Sequence, residues 1–314
     1  MFMTYKIFRS QSKKFLREAL PWFYPLIYRA YLRLTGSPIQ RERAAKYAEF
    51  VKAGFYNFEL RDITFDIMLD PNNGGVDLEI FTDKNFEARI LEFIRAQLSV
   101  NDVFVDIGAN IGQHSLYASY LCGYVYAFEP IKRLYDQFCR SIFQNEILNI
   151  TAYNYALGNE KKEMPIYSNE ANMGGSSVLV KNNKNFFQNI KILRLDDIYD
   201  KIGITRANMI KIDVEGYELE VLLGAQNFIK KYQPKIIMEF SPYFYDYVDS
   251  NISNRIIELL LGAGYELWNI GDNGDKKIKV KKLEDLHGAS QINLFCTPVV
   301  EGAHEKSRTS CVKQ

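Results

Sequence analysis

Residues 103–119 read VFVDIGANIGQHSLYAS, and this stretch decides the fold. It opens with strand-forming residues, passes through Asp106 into a turn that contains Gly108 and Gly112, and ends with apolar residues at helical spacing. We therefore predict a buried strand, a glycine turn and a helix. Glycine lets the backbone approach a ligand closely, and the start of a helix offers free N–H groups. This corner is a candidate ligand site.

Strand and helix patterns alternate around this corner. Strands are predicted at 78–81, 103–107, 124–128, 150–155, 209–213, 235–240, 265–270 and 291–296. Helices are predicted at 86–98, 113–121, 134–146, 217–230 and 253–262. The alternation indicates an α/β fold with a mostly parallel sheet and helices on both faces. Ligands bind such sheets outside the carboxyl ends of the strands.

Residues 158–200 break the alternation. Short strands are predicted at 164–167, 177–180 and 190–195, and the run 181–189, rich in Asn and Lys, is predicted to be a solvated hairpin tip. We expect this segment to be an insertion that lies over the active-site rim and shapes a substrate pocket.

Composition narrows the class of protein. The chain has 314 residues, 47% hydrophobic and 25% charged, which is typical of a soluble globular protein. The net charge of +1 argues against a nucleic-acid partner. The four cysteines form no CxxC pair, and none lies at metal-ligand spacing from a histidine, so we predict neither a metal site nor disulfides. A reducing, cytoplasmic location is the simplest interpretation.

Residues 1–46 differ from the rest of the chain. They hold ten Lys and Arg against two Glu, a surplus of eight positive charges, and many aromatic residues. They form either a helical leader that packs on the body or on another subunit, or an interfacial helix at the inner membrane face. Prolines and charges interrupt 15–34, so no transmembrane helix is predicted. We predict a leader with an accessory strand region over 1–77, and a polar tail over 301–314.

The turn has the pattern Asp106-x-Gly108-x-Asn110-x-Gly112, which is not the GxGxxG of a dinucleotide site. Its carboxylate, amide and N–H groups suit the charged ends of a sulfonium amino acid. Glu129 follows the next strand, about 20 residues on, where an acid accepts both hydroxyls of an adenosine ribose. This acid fits NAD and S-adenosylmethionine equally well.

Two further acids end neighbouring predicted strands, Asp213 after one apolar run and Glu239 after another. If they meet at the rim, burial raises the pKa of one of them, which suits a base that removes a hydroxyl proton. A paired structural acid is the alternative. Glu218 is expected only to complement a helix N-terminus. His114 is either a helix-start residue or a ligand contact.

Taken in order, DIGANIG at 106–112, AFEP at 127–130 and IKIDVEG at 210–216 resemble the FkbM family of class I S-adenosylmethionine-dependent methyltransferases. The resemblance implies a Rossmann-like sheet with one antiparallel edge strand, supplied by 291–296. It also implies O-methylation of a hydroxyl on a sugar, glycan or secondary metabolite. We therefore predict a methyltransferase domain over 78–300.

The resemblance also implies roles for residues by position. The implied cofactor contacts are Asp106, Gly108, Asn110 and Gly112 for the methionine part, Glu129 for the ribose and Ala156 beside the adenine. The implied catalytic residues are Asp213 and Glu239, which face the methyl group and the acceptor. They act directly or through a bound Mg²⁺, which the sequence does not require.

Two other functions stay open on the sequence. One is an NAD-dependent oxidoreductase on a similar sheet, which Asn110 and the missing GxGxxG disfavour. The other is a non-catalytic module that keeps the fold for membrane or partner binding, which the intact acids at the rim disfavour.

Deletion of residues 1–46 tests the membrane interpretation. If this segment contacts anionic lipid, its removal takes away eight net positive charges and should abolish cosedimentation with anionic vesicles. Neutral vesicles are the control. Unchanged partitioning would contradict the membrane interpretation and favour a leader that packs on protein.

Overall fold

The computed structural model describes residues 52–73, 75–83, 86–169, 172–177, 185–242, 245, 248–249, 251–271, 278–286, 289 and 291–299. The predictions for the leader at 1–46 and the tail at 301–314 lie outside these residues. Within them, every helix is too short or too polar to cross a membrane.

The elements alternate as expected. The strands are β1 (Gly54–Leu60), β2 (Ile63–Leu69), β3 (Val103–Ile107), β4 (Tyr124–Phe128), β5 (Ile150–Tyr153), β6 (Ala156–Leu157), β7 (Lys162–Asn169), β8 (Asn172–Ser177), β9 (Asn185–Leu193), β10 (Met209–Ile212), β11 (Lys235–Phe240), β12 (Tyr265–Asn269), β13 (Ile278–Val280) and β14 (Ile292–Pro298). The helices are α1 (Gly75–Thr82), α2 (Ala88–Gln97), α3 (Gln113–Ser119), α4 (Lys132–Gln144), α5 (Leu195–Ile198), α6 (Glu218–Leu223), α7 (Gln226–Tyr232) and α8 (Ile252–Gly262). Short 3-10 turns lie at Pro71–Asn73 and Leu283–Leu286.

The main sheet has the strand order β13-β12-β14-β11-β10-β3-β4-β5. Strands β11, β10, β3, β4 and β5 are parallel to their neighbours in that run. Alternate residues of β3 face opposite cores: Phe104 packs with α2, α3 and α4, whereas Val105 and Ile107 pack with α6, α7 and α8. The predicted α/β sheet with helices on both faces is confirmed.

The antiparallel strand lies elsewhere than predicted. The stretch 291–296 was expected at the sheet edge, but β14 runs antiparallel between β11 and β12. The antiparallel edge strand is β13 instead. Both faces of β14 are covered, because Leu294 and Cys296 lie in one core and Phe295 lies in the other, which explains their unbroken burial.

Two element predictions are wrong in type or extent. The strand expected at 78–81 belongs to helix α1, because a short apolar run has no periodicity that separates strand from helix. The single helix expected at 217–230 is split into α6 and α7. At the break, a Cβ on Gly224 would lie 1.9 Å from the carbonyl oxygen of Gly158, so the two backbones touch there.

Strands β6 to β9 form a second sheet with the order β6-β9-β7-β8. β7 contains the strand predicted at 164–167. β9 overlaps the strand predicted at 190–195 and ends at Leu193. β8 ends where the strand predicted at 177–180 begins. Because β9 starts at Asn185, the predicted hairpin tip at 181–189 is partly strand, and residues 178–184 lie outside the described part.

The hairpin of β1 and β2 packs on the body of the domain. The Met68 N–H donates to Ser141 Oγ at 2.9 Å, and the Asp66 N–H donates to Asn145 Oδ1 at 2.8 Å. Ile67 and Leu69 are fully buried in the core that also contains Phe104. The hairpin therefore shares a core with the sheet, and the boundary at residue 77 stays a prediction.

Substitution of Ile67 tests whether the hairpin unfolds with the sheet. Ile67→Ala removes a fully buried side chain and should destabilise the protein by about 2–5 kcal/mol within one urea transition. Phe55→Ala, on the same hairpin but 43% exposed, is the control and should change the midpoint little. A separate early transition would show that the hairpin is an independent unit.

Candidate active site

A cavity opens at the carboxyl ends of β3, β4, β10 and β11. The predicted site residues that line it are Gly108, Asn110, Glu129, Ala156, Asp213 and Glu239. Ile166, Ile190 and Ile192 from the second sheet line it as well. The chain thus brings the ends of four strands and part of the inserted sheet together around one space.

Two predicted cofactor contacts lie behind the cavity rather than on it. Asp106 is fully buried; Ser115 Oγ donates to its Oδ2 at 2.6 Å, and Lys211 Nζ lies 3.8 Å from its Oδ1. A Cβ on Gly112 would lie 2.0 Å from Phe138 Cδ2. Neither residue lines the cavity. Both instead support the turn from behind, because the strand end and the helix start are packed against other elements.

The glycine turn is pressed between the ends of β4 and β10. The N–H groups of Gly108 and Ala109 donate to the carbonyl oxygen of Phe128 at 2.9 and 3.0 Å. Gly108 has a φ of +84°, and a Cβ on it would lie 1.9 Å from the carbonyl oxygen of Asp213. Only glycine fits this position, because both the left-handed backbone and the close approach exclude a side chain.

Glu129 presents an ordered carboxylate to the cavity. The Asn110 N–H donates to its Oε2 and the Ile131 N–H to its Oε1, both at 2.8 Å. Burial raises the pKa of Glu129 to about 7, although these two hydrogen bonds oppose the rise. Asn110 reaches this geometry with a φ of 55°, a left-handed conformation that Asn tolerates better than most residues. Each carboxylate oxygen keeps a lone pair for a ligand hydroxyl.

Asp213 and Glu239 meet at the rim, because β10 and β11 pair in parallel with Ile212 beside Met238. Burial raises the pKa of Glu239 to about 10, and the charge of Asp213 adds to the rise. Burial alone would also raise the pKa of Asp213, but the Lys211 ammonium and a hydrogen bond from Glu239 lower it below its usual range. At neutral pH, Glu239 is therefore protonated and donates to an ionised Asp213.

Lys211 was not predicted from the sequence. Its side chain is 8% exposed, and its Nζ lies 3.0 Å from Asp213 Oδ2. It stands opposite Asp106 in the register of β10 and β3, on the same face of β10 as Asp213. The sequence signal that could have identified Lys211 is a lysine within an apolar strand, two residues before an acid.

Two other acids, Glu218 and Glu87, lie near the site and have different surroundings. Glu218 accepts the N–H groups of Val214 and Gly216 at 3.2 Å, and the Tyr245 hydroxyl donates to it at 2.9 Å. It therefore holds the loop after β10. Glu87, which no sequence motif singled out, lines the cavity together with His114.

No cluster of three or more His, Cys, Asp or Glu in the described part of the chain is arranged to hold a metal ion. Among the described residues, Asp213 forms its ion pair with the Lys211 ammonium.

Comparison with known proteins decides the family. The family model described as "Methyltransferase FkbM domain" matches residues 106–267. The chain belongs to the FkbM methyltransferase family. This result favours the methyltransferase interpretation over the NAD-dependent oxidoreductase.

Two curated relatives of this FkbM methyltransferase agree with that result. It is 28% identical over 222 residues to methyltransferase sdnD of Sordaria araneosa, across 60% of this chain and 80% of sdnD. It is 25% identical over 148 residues to hexuronic acid methyltransferase AglP of Haloferax volcanii, across 47% of this chain and 60% of AglP. The crystal structure of methyltransferase FkbM from Methylobacillus flagellatus superposes with a TM-score of 0.39 at 17% identity, across 70% of this chain and 54% of that one.

Substitution of Gly108 tests the close contact at the turn. Gly108→Ala adds a Cβ that overlaps the Asp213 carbonyl. The loss in the free energy of unfolding should therefore be larger than the penalty of about 1–2 kcal/mol for a left-handed backbone conformation alone. Gly203→Ala is the matched control, because Gly203 has a φ of +81° and no atom within 4 Å of the added Cβ. Urea denaturation measures both. Equal costs would mean that the turn relaxes away from β10.

Proposed function

We propose that this FkbM methyltransferase transfers the methyl group of S-adenosylmethionine to a hydroxyl oxygen of a sugar, a glycan or another small metabolite. The observation that carries the proposal is the Asp213–Glu239 pair beside Lys211, at the rim of a cavity floored by the Gly108 turn. The relative AglP, a hexuronic acid methyltransferase, also supports a sugar as the acceptor class.

The donor set of the cavity fits S-adenosylmethionine. Glu129 offers oriented carboxylate oxygens for two ribose hydroxyls, and Ile131 and Leu134 add apolar surface nearby. Ala156, at the start of β6, is the residue we assign beside the adenine. When bound, the cofactor supplies a methyl group on a cationic sulfur, which is a good leaving group. The protein must orient the acceptor and exclude water, which is worth about 7–11 kcal/mol in well-aligned reactions.

Asp213 is the proposed base. Lys211 keeps its carboxylate ionised at neutral pH, and the protonated Glu239 fixes its position with a hydrogen bond. An acceptor hydroxyl beside Asp213 loses its proton to that carboxylate as the methyl group is transferred. General-base catalysis of this kind contributes about 10²–10⁴-fold. Glu239 is then a hydrogen-bond donor rather than a second base.

Ile166 and Ile190 of the second sheet lie on the cavity wall, where they would contact the acceptor, whereas Ile192 stands beside Ala156. We also propose that the protein works in the cytoplasm, where a membrane-borne glycan precursor would give the basic segment 1–46 a function. Nothing in the cavity calls for a nucleic-acid partner.

Substitution of each acid in turn distinguishes the roles of Asp213 and Glu239. Asp213→Asn should lower kcat by about 100-fold or more, because it removes the base. Glu239→Gln should keep most of the turnover near pH 7, because the amide still donates to Asp213. In the wild type, activity should fall as pH rises through about 10, where Glu239 loses its proton, and this limb should vanish in Glu239→Gln.

Binding of S-adenosylhomocysteine, measured by calorimetry, is the control for both variants, and retained binding shows that the cavity is still folded when Asp213 loses its charge. Full turnover in both variants would show that neither acid is the base.

Transfer of a labelled methyl group tests the acceptor class. Cell extract is fractionated into glycan, lipid-linked glycan, small-molecule and protein pools, and the label should enter one of the first three. Label in the protein pool alone would contradict the proposal. Cofactor binding without transfer to any pool would favour the non-catalytic module.

A further inference from the structure

One carboxylate of the cavity has no role in the chemistry above. Glu87 precedes helix α2 at the N-cap position, with a φ of 53° that is unusual for Glu. Its side chain makes no cap hydrogen bond to the helix. The side chain instead lines the cavity and is 39% exposed. A residue placed to cap α2 therefore leaves its carboxylate available to a ligand.

His114 stands beside this carboxylate and lines the same cavity. Its side chain is 8% exposed, and its Nε2 lies 3.3 Å from Glu87 Oε2. The two groups are not aligned for a hydrogen bond, and the buried Nε2 has no other partner. Burial lowers the pKa of His114 to about 3, and the nearby Lys211 adds to the effect, so the ring is neutral. A buried polar atom without a partner is costly, which favours any ligand that brings Glu87 into line.

The charges around Glu87 are unbalanced. Although the Glu87 side chain is 39% exposed, desolvation within the cavity raises its pKa above the usual range; the carboxylates of Asp213 and Asp106 raise it further, and the Lys211 ammonium opposes them. One ammonium therefore faces three carboxyl groups in this corner. Of these, Asp106 is sealed behind the turn and Asp213 is paired with Lys211, which leaves Glu87 as the carboxylate that a ligand can reach.

We propose that Glu87, held in place by His114, binds an ammonium group of a molecule in the cavity. An ammonium group donates to the carboxylate, supplies the missing positive charge and brings the Glu87 oxygen into line with the imidazole. The inference rests on the proposed function, because the amino-acid end of the methyl donor carries such a group. An amino group on the acceptor is the other source of the same chemistry.

Calorimetry with two adenosine ligands tests the first source. S-adenosylhomocysteine carries the ammonium group, and 5′-methylthioadenosine lacks the whole amino-acid end. Glu87→Gln should weaken binding of S-adenosylhomocysteine by about 10- to 100-fold, the range for a hydrogen bond to a charged group. Binding of 5′-methylthioadenosine should stay within about twofold, because this ligand lacks the ammonium group that Glu87 would bind.

Glu92→Gln is the matched control. Glu92 lies on helix α2, which Glu87 precedes. The Glu92 side chain is also 39% exposed, and it pairs with Arg61 outside the cavity. This variant should change neither affinity. His114→Leu should lower the preference for S-adenosylhomocysteine over 5′-methylthioadenosine, and His114→Gln, which keeps a donor, should restore part of it. A merely structural role of His114 would change both affinities together.

Glucosamine and glucose test the second source on the protein loaded with S-adenosylhomocysteine. Stronger binding of glucosamine that Glu87→Gln abolishes, with unchanged adenosine-ligand affinities, assigns the ammonium to the acceptor. The inference is overturned if Glu87→Gln weakens both adenosine ligands equally, or if it changes neither the adenosine ligands nor glucosamine. If the wild type binds neither adenosine ligand, the proposed donor is wrong, which is a different result from an unchanged preference in Glu87→Gln.

Discussion

The ion pair between Lys211 and Asp213 is the interaction on which the cavity depends. Lys211 lies almost fully buried, 3.0 Å from Asp213 on one side and 3.8 Å from Asp106 on the other. Loss of one partner from a buried pair typically costs about 3–5 kcal/mol, because the remaining charge is left without a partner. The ammonium therefore couples the end of β3 to the end of β10. It also decides which acid of the Asp213–Glu239 pair is ionised.

Backbone contact is the second constraint, and it complements the ion pair. The turn after β3 touches the backbone that follows β10 at Gly108, whose φ and surroundings both exclude a side chain. Glu129 then ties the turn to the segment after β4 through two backbone N–H groups. Three strand ends are thus joined at one corner before any ligand binds. A site built in this way is preorganised, because its hydrogen-bond groups already point to where they are needed.

The sequence predicted the central sheet well, because strands such as Val103–Ile107 and Lys235–Phe240 are apolar runs bounded by turn residues. It also indicated Asp213 and Glu239 as neighbours, since parallel strand ends share one edge. The sequence could not predict how deeply each site residue is buried, because nothing in the order of residues shows that Asp106 lies behind the turn and not on the cavity wall. Glu87 was missed for a related reason, because it reaches the site from an element that precedes the motif by many residues.

The position of β14 has a consequence for the order in which the site forms during synthesis. β11 carries Glu239, and its second neighbour is β14, the last strand described; Gln291, just before that strand, donates to Glu239. A nascent chain that has emerged only as far as β11 holds the glycine turn, Glu129 and Lys211, yet leaves Glu239 on an open sheet edge. Because β10 and β11 already pair in such a chain, Asp213 and Glu239 lie side by side, but Glu239 lacks its second neighbouring strand and the Gln291 amide. A chain released before β14 would therefore hold the glycine turn and both acids without the contact that supports Glu239 from the other side.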